Sequence, residues 1–143
     1  MDRTGHRLLL ATANANARPS ATTATWQLPQ TLPLTEYSQV KVVWTSMLSL
    51  TNAADTVSVT CPDLAVECYD TSTKTMGRTL GIIAPKVVSG SLVAYYAIDS
   101  DNAPLDMQAG NYHTSLTLSL QFTNSKAAPA ITGEWTVMLE FTD

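Results

Sequence analysis

Charge is what this sequence has least of. Asp, Glu, Lys and Arg make up 14% of its 143 residues, against about 25% in a typical soluble domain. The net charge of −4 leaves no general electrostatic footprint for nucleic acid. No run of 18 apolar residues occurs, so no transmembrane helix and no membrane partner is expected. Histidine appears only as His6 and His113. A Ser-His-Asp catalyst would have to use His113, and neither a G-x-S-x-G nucleophile turn nor a glycine-rich phosphate loop is present. The expectation is therefore a protein that is not an enzyme and needs no cofactor. Asn-x-Ser/Thr acceptors are also missing, so glycosylation lends no support to an extracellular life.

Cysteine is almost as scarce. Cys61 and Cys68 flank a Pro62-Asp63 turn and could face each other across a hairpin. Six intervening residues suit a metal pair less well than the usual two to four, and no second pair completes a zinc site. Buried free thiols come first, a disulfide between Cys61 and Cys68 second, and a metal last.

In place of charge the chain carries Ser and Thr, and they alternate with apolar residues. From Tyr112 to Phe122, Leu116, Leu118, Leu120 and Phe122 interleave with Ser115, Thr117, Ser119 and Gln121. From Gly133 to Phe141, Trp135, Val137, Leu139 and Phe141 interleave with Glu134, Thr136, Met138 and Glu140. A period of two predicts two long strands, each with one buried and one wet face. A sheet built on this pair needs a second layer over its apolar face, to be supplied by the rest of the chain.

Six shorter segments precede them. They are Thr22 to Leu28 with Trp26, Val40 to Met47, Thr56 to Cys61, Val66 to Tyr69, Arg78 to Ile83 and Leu92 to Ile98. In the second, Val40, Val42 and Trp44 share one face, which makes Trp44 a core residue like Trp135. Pro29 and Pro33 mark an edge or a connection between the first two. Turn chemistry separates the rest, and no helical period competes. The fold class is all-β, an antiparallel two-sheet sandwich over residues 22–143, with a jelly roll ahead of an immunoglobulin-like sandwich.

Residues 1–21 are small and polar without a sustained period, and read as a flexible basic arm outside the core. Arg3, Arg7 and Arg18 against Asp2 give this stretch a local +2, leaving −6 for the remainder. Arg3 and Arg7 precede Leu8, Leu9 and Leu10 as in a secretory signal, but the apolar core stops after about five residues, below the roughly 7 to 15 required. Extended, the arm reaches on the order of 70 Å, enough to cross a neighbouring subunit and meet acidic protein or nucleic acid.

Two loops gather polar and aromatic side chains. Asp99, Asp101 and Asn102, with Asp106 beyond, concentrate oxygens, but lack the glycine and closing glutamate of a calcium loop and suit turn chemistry better. Trp26, Tyr37, Tyr69, Tyr95 and Tyr112 are candidates for stacking on sugars or protein. A ligand or interface loop would draw on Tyr69, Asp99, Asp101, Asn102 and Tyr112.

The order of short motifs carries a resemblance. Trp26-Gln27-Leu28-Pro29, Val40-Lys41-Val42-Val43-Trp44, Val57-Ser58-Val59-Thr60-Cys61-Pro62-Asp63-Leu64 and Arg78-Thr79-Leu80-Gly81-Ile82-Ile83 are followed by Leu116-Thr117-Leu118-Ser119-Leu120 and Trp135-Thr136-Val137-Met138-Leu139-Glu140-Phe141. Over residues 26–143 this succession resembles the capsid-associated β-sandwich proteins of polinton-like viruses, adintoviruses and virophages. The resemblance implies a virion structural role, as a jelly-roll minor capsid, penton-like or fibre-head subunit, with no catalytic residues to carry over. The partners it implies are further copies of the chain in a closed ring and other capsid proteins touched by the arm. A receptor- or glycan-binding head is the alternative, and it requires exposed aromatics on the loops 70–77 or 99–110.

Overall fold

The structure, a computed structural model, describes residues 6–28, 37–49, 55–64, 66–71, 75–76, 79–89, 92–98, 101–107 and 115–142. In chain order the elements are β1 (His6–Ala11), a 3-10 turn (Thr12–Asn14), β2 (Ala17–Ser20), β3 (Thr23–Gln27), β4 (Gln39–Ser49), β5 (Val57–Thr60), β6 (Tyr69–Asp70) and β7 (Thr75–Met76). They continue with β8 (Thr79–Ile83), β9 (Lys86–Ser89), β10 (Leu92–Ala97), β11 (Leu105–Asp106), β12 (Ser115–Phe122) and β13 (Ile131–Thr142). One sheet runs β1-β13-β4-β10-β9 with β11 beside β4, and the facing sheet runs β2-β3-β12-β5-β8. Strands β6 and β7 form a separate hairpin.

Number the principal strands β1, β3, β4, β5, β8, β10, β12 and β13 from first to eighth. The sheets then read first-eighth-third-sixth and second-seventh-fourth-fifth. This interleaving is that of a jelly roll, as the sequence leads one to expect. The pairings are antiparallel throughout.

Alternation does what the pattern requires in β12 and β13. Leu116, Leu118 and Leu120, and across from them Trp135, Val137, Leu139 and Phe141, are buried in one core. The two strands lie in opposite sheets rather than side by side, so each is the layer that covers the other. The outward hydroxyls along β12 and just beyond it behave differently from an ordinary wet face. Thr23 bonds Ser119 at 3.0 Å, Thr25 bonds Thr117 at 2.8 Å, and Ser58 bonds Thr123 at 2.7 Å. Cross-strand hydroxyl pairs of this kind satisfy the outer face of the β2-β3-β12-β5-β8 sheet without charge.

The reading of residues 1–21 as an arm outside the sandwich is overturned for the described part of that stretch. Strand β1 pairs β13 through six consecutive residues, His6 with Phe141 to Ala11 with Thr136, and Leu10 is buried between the sheets. Strand β2 pairs β3, so residues 6–20 contribute to both sheets, and the sandwich does not begin at Thr22. The physical cause is a set of locks along the stretch from Ala11, the end of β1, to Ala21, just after β2. The Trp26 indole N–H donates to the Ala11 carbonyl at 2.9 Å, and the Trp135 indole N–H donates to the Ala21 carbonyl at 2.8 Å. The two rings meet edge-on, 5.9 Å between centroids at 79°. Thr12 is buried, donates to the Glu134 carboxylate and accepts the Trp135 backbone N–H at 2.9 Å. Arg3 lies outside the described residues.

Among the eight expected strands, Val66 to Tyr69 is not one of the principal eight. It contributes an isolated bridge from Val66 to Met107 and the first residue of the β6–β7 hairpin. Strand β1 takes the place it was expected to fill.

Asp55 fastens the turn after β12. Its carboxylate accepts the Thr56 N–H at 2.8 Å, the Asn124 N–H at 2.9 Å, the Asn124 side-chain amide at 2.8 Å and the Ser125 N–H at 3.2 Å. Desolvation alone would raise its pKa, but these donors together hold it below the ordinary 3.8.

If β1 is part of the core, Leu10→Ala leaves a cavity between the sheets and costs about 2–5 kcal/mol in urea unfolding. A loss below about 0.5 kcal/mol, typical of a surface substitution, would restore the arm.

Candidate docking face on the six-stranded sheet

The outer face of the sheet that contains β1 is organised by register into three rows. The first crosses Arg7, Glu140 and Lys41 on β1, β13 and β4. The second crosses Leu9, Met138 and Trp44 on the same strands. Ile98 continues this row past the end of β10, where Ala97 pairs with Thr45. The third crosses Ala11, Thr136, Ser46 and Tyr96. An apolar row thus runs between a charged row and a row rich in hydroxyls.

Trp44 reaches this face through a β-bulge. On β13, Met138 and Leu139 are consecutive, yet they pair with Trp44 and Val42 on β4, leaving Val43 as an extra residue. One inserted residue shifts the phase of a strand. Val40 and Val42 point into the core before the bulge, and Thr45, Met47 and Ser49 are the buried positions after it. Trp44 is therefore 41% exposed, which corrects its expected place in the core, while Trp135 is buried as expected.

Leu9 and Ile98 are each 58% exposed, and Tyr96 is exposed beside them. Arg7, Leu9, Val43, Trp44, Ile98 and Met138 line a shallow groove of about 500 Å³. Its rim is set by Arg7, whose Nε donates to the Glu140 carboxylate at 2.8 Å. This is a largely solvent-exposed pair, worth about 0.2–1 kcal/mol by itself. Chemically the groove offers apolar area with a polar border, which suits recognition by burial; covering it gains about 25 cal/mol per Å².

The other expected site residues are dispersed. Arg18 is not an arm residue but a clasp. Its guanidinium meets the Glu134 carboxylate at 3.0 Å and donates to the Gly133 carbonyl at 2.8 Å. Gly133 has φ +73°, in the left-handed region that glycine adopts without strain, beside a register shift in β13. Tyr69, 57% exposed, stands on the β6–β7 hairpin.

Asp101 turns the chain after β10, accepting the Ile98 N–H at 2.9 Å while its own N–H donates to the Ile98 carbonyl at 2.9 Å. The Asn102 side chain accepts the Ile82 N–H at 3.1 Å. Both perform turn and edge chemistry. Asp99, Tyr112 and His113 lie outside the described residues. Among the described residues no group of three or more His, Cys, Asp or Glu is placed to hold a metal ion.

Of the aromatics considered for stacking, Trp26 and Tyr95 are buried in the core, and Tyr37 packs against Phe141 at 6.5 Å. The exposed rings on this face are instead Trp44 and Tyr96. A phase count along β4 could not have found Trp44, because the bulge leaves no mark in residue types.

Cys61 and Cys68 are free thiols, the first buried and the second partly so. Burial pushes the Cys61 thiol up to about 12. No protein-family model matches this chain, and no curated protein sequence matches it.

Thiol titration at pH 8 is expected to modify Cys68 in the native protein and Cys61 only after unfolding. Equal native reactivity of both thiols would contradict the placement of Cys61 in the core.

Proposed function

We propose that this protein is a structural component of a virion, a jelly-roll minor capsid, vertex or spike subunit that works through protein–protein contacts. The observation that carries the reading is the row of Leu9, Met138, Trp44 and Ile98 across an outer sheet face. The outer face of the opposite sheet closes its polar groups on one another through hydroxyl pairs. A subunit with one self-satisfied face and one apolar face has a direction in which to assemble. The low charge content supports this, since charge is depleted at the cores of protein interfaces. Strand order and motif succession support the viral assignment, with copies of the chain and other capsid proteins as partners.

The second reading is a receptor- or glycan-binding fibre head, favoured by one observation. Trp44 and Tyr96 present exposed rings on the same face, with Ser46 and Thr136 hydroxyls nearby in register. An apolar ring beside polar groups suits a pyranose as well as a protein.

Light scattering over a wide concentration range separates the two. The structural reading predicts a mass that rises above the 15.4 kDa of one chain. It also predicts that Leu9→Ser moves the midpoint of association up by about tenfold, the equivalent of about 1.4 kcal/mol. A chain that stays at one copy throughout, and whose tryptophan fluorescence responds to a glycan panel in a Trp44-dependent way, belongs to the second reading.

A further inference from the structure

The two sheets end in four edge strands, β1, β9, β2 and β8, and three of them carry devices that discourage pairing. Strand β2 contains Pro19, which has no N–H to donate, and its ladder with β3 is broken by a register shift between Ala17 and Ser20. Strand β8 has Gly81 at its centre, and its Ile82 N–H is occupied by the Asn102 side chain at 3.1 Å. Strand β9 follows Pro85, opens on the exposed Lys86 and meets β10 through a register shift at Leu92 and Val93. Such features are how sheet edges are kept from extending.

Strand β1 lacks the proline, the glycine and the register shift, and its exposed Arg7 is paired with Glu140 of its own sheet. It runs unbroken through six register pairs with β13, holds three consecutive leucines, and contains no proline, glycine or bulge. Among the described residues no strand lies on its other side.

We propose that β1 pairs antiparallel with β1 of a second copy about a two-fold axis normal to the sheet, with Leu9 opposite Leu9 of the second copy. This inference rests on the assembly reading above and names its partner and geometry. A two-fold axis of this kind keeps outward side chains outward, so residues that face each other share a parity along β1.

Four registers centred on Arg7, Leu8, Leu9 or Leu10 are then available, and centring on Leu10 sets each Leu9 against Ala11 and takes the apolar rows out of line. Centring on Arg7 sets like charges directly opposite, which is unfavourable. Centring on Leu8 sets each Arg7 against the exposed Leu9 and separates the apolar rows. Centring on Leu9 places Arg7 opposite Ala11 and Leu8 opposite Leu10, and the apolar row of one copy meets that of the other end to end. The two five-strand paths become one sheet of ten strands. Leu9, apolar yet 58% exposed in the single chain, then lies against Leu9 of the second copy at the middle of one continuous outer apolar row.

The test is cross-linking in the full chain carrying Cys68→Ser, with Cys61 left in the core. Side chains directly opposite on antiparallel strands have Cβ atoms about 4.5–5.5 Å apart, close enough for a disulfide after small adjustment. Under mild oxidation, Leu9→Cys is expected to convert most of the protein to covalent dimer. Ala11→Cys, which faces Arg7 in this register, is expected to give little. Leu9 is exposed, so its replacement leaves the fold intact, and circular dichroism verifies this before oxidation.

Association seen by light scattering together with cross-linking through Trp44→Cys instead of Leu9→Cys overturns edge pairing and leaves the assembly reading standing. The same holds for cross-linking through Ala11→Cys. A single-copy mass at every concentration with no cross-link through any position overturns both.

Discussion

The structure depends on the contact between Trp26 and Trp135. One ring comes from each sheet, they meet edge-on, and the indole N–H groups reach the carbonyls of Ala11 at the end of β1 and Ala21 just after β2, so that they bracket the crossover and β2. A buried indole N–H without a partner costs free energy, so the crossover and the two tryptophans hold each other in place. Thr12 and the Arg18 clasp on Glu134 and Gly133 extend the same fastening along β13. Because the chain is fixed at Ala11 and again at Ala21, β1 is delivered to one sheet and β2 to the other. The N-terminal segment therefore closes the core through Leu10 and, through Leu9 and Arg7, builds the outer groove.

The outer faces show two solutions to the same problem of a surface poor in charge. On the sheet with β12 at its centre, Thr and Ser bond across strands and need little from water or a partner. On the sheet with β13 and β4, the hydroxyl row gives way to leucine, methionine, tryptophan and isoleucine, and the polar groups retreat to the border. The four edges repeat the contrast, with three interrupted by proline, glycine or a register shift and β1 running unbroken. Face and edge meet at Leu9, which belongs both to the outer apolar row and to the edge strand.

The strands whose periodicity is clean were legible in the sequence. Burial in β12 and β13 follows the alternation almost residue by residue, and β3, β5 and β10 fall within the expected segments. What periodicity cannot supply is partnership. Alternation tells which side of a strand is apolar and not which strand lies beside it, so β12 and β13 read as one sheet although they face each other across the core. Strand β1 was hidden because Leu8, Leu9 and Leu10 break the period of two, and because the small residues after them look like an arm until the tryptophan donors that bind their carbonyls are seen.

The candidate site was the least legible part. Its central ring, Trp44, is turned outward by one extra residue at Val43, and its flanking Leu9 and Arg7 sit on the strand that alternation conceals. Asp101 performs the turn chemistry expected of it, whereas Asn102 reaches instead to the Ile82 N–H of β8.

The most direct test of the central constraint is proton exchange at the three indole N–H groups of the full chain, followed by NMR. The account predicts two slow protons, Trp26 and Trp135, protected by their bonds to Ala11 and Ala21, and one fast proton on the exposed Trp44. Three indoles exchanging alike and rapidly would mean that Ala11 and Ala21 are not held by the tryptophans, and the fastening on which both β1 and the outer groove rest would be wrong.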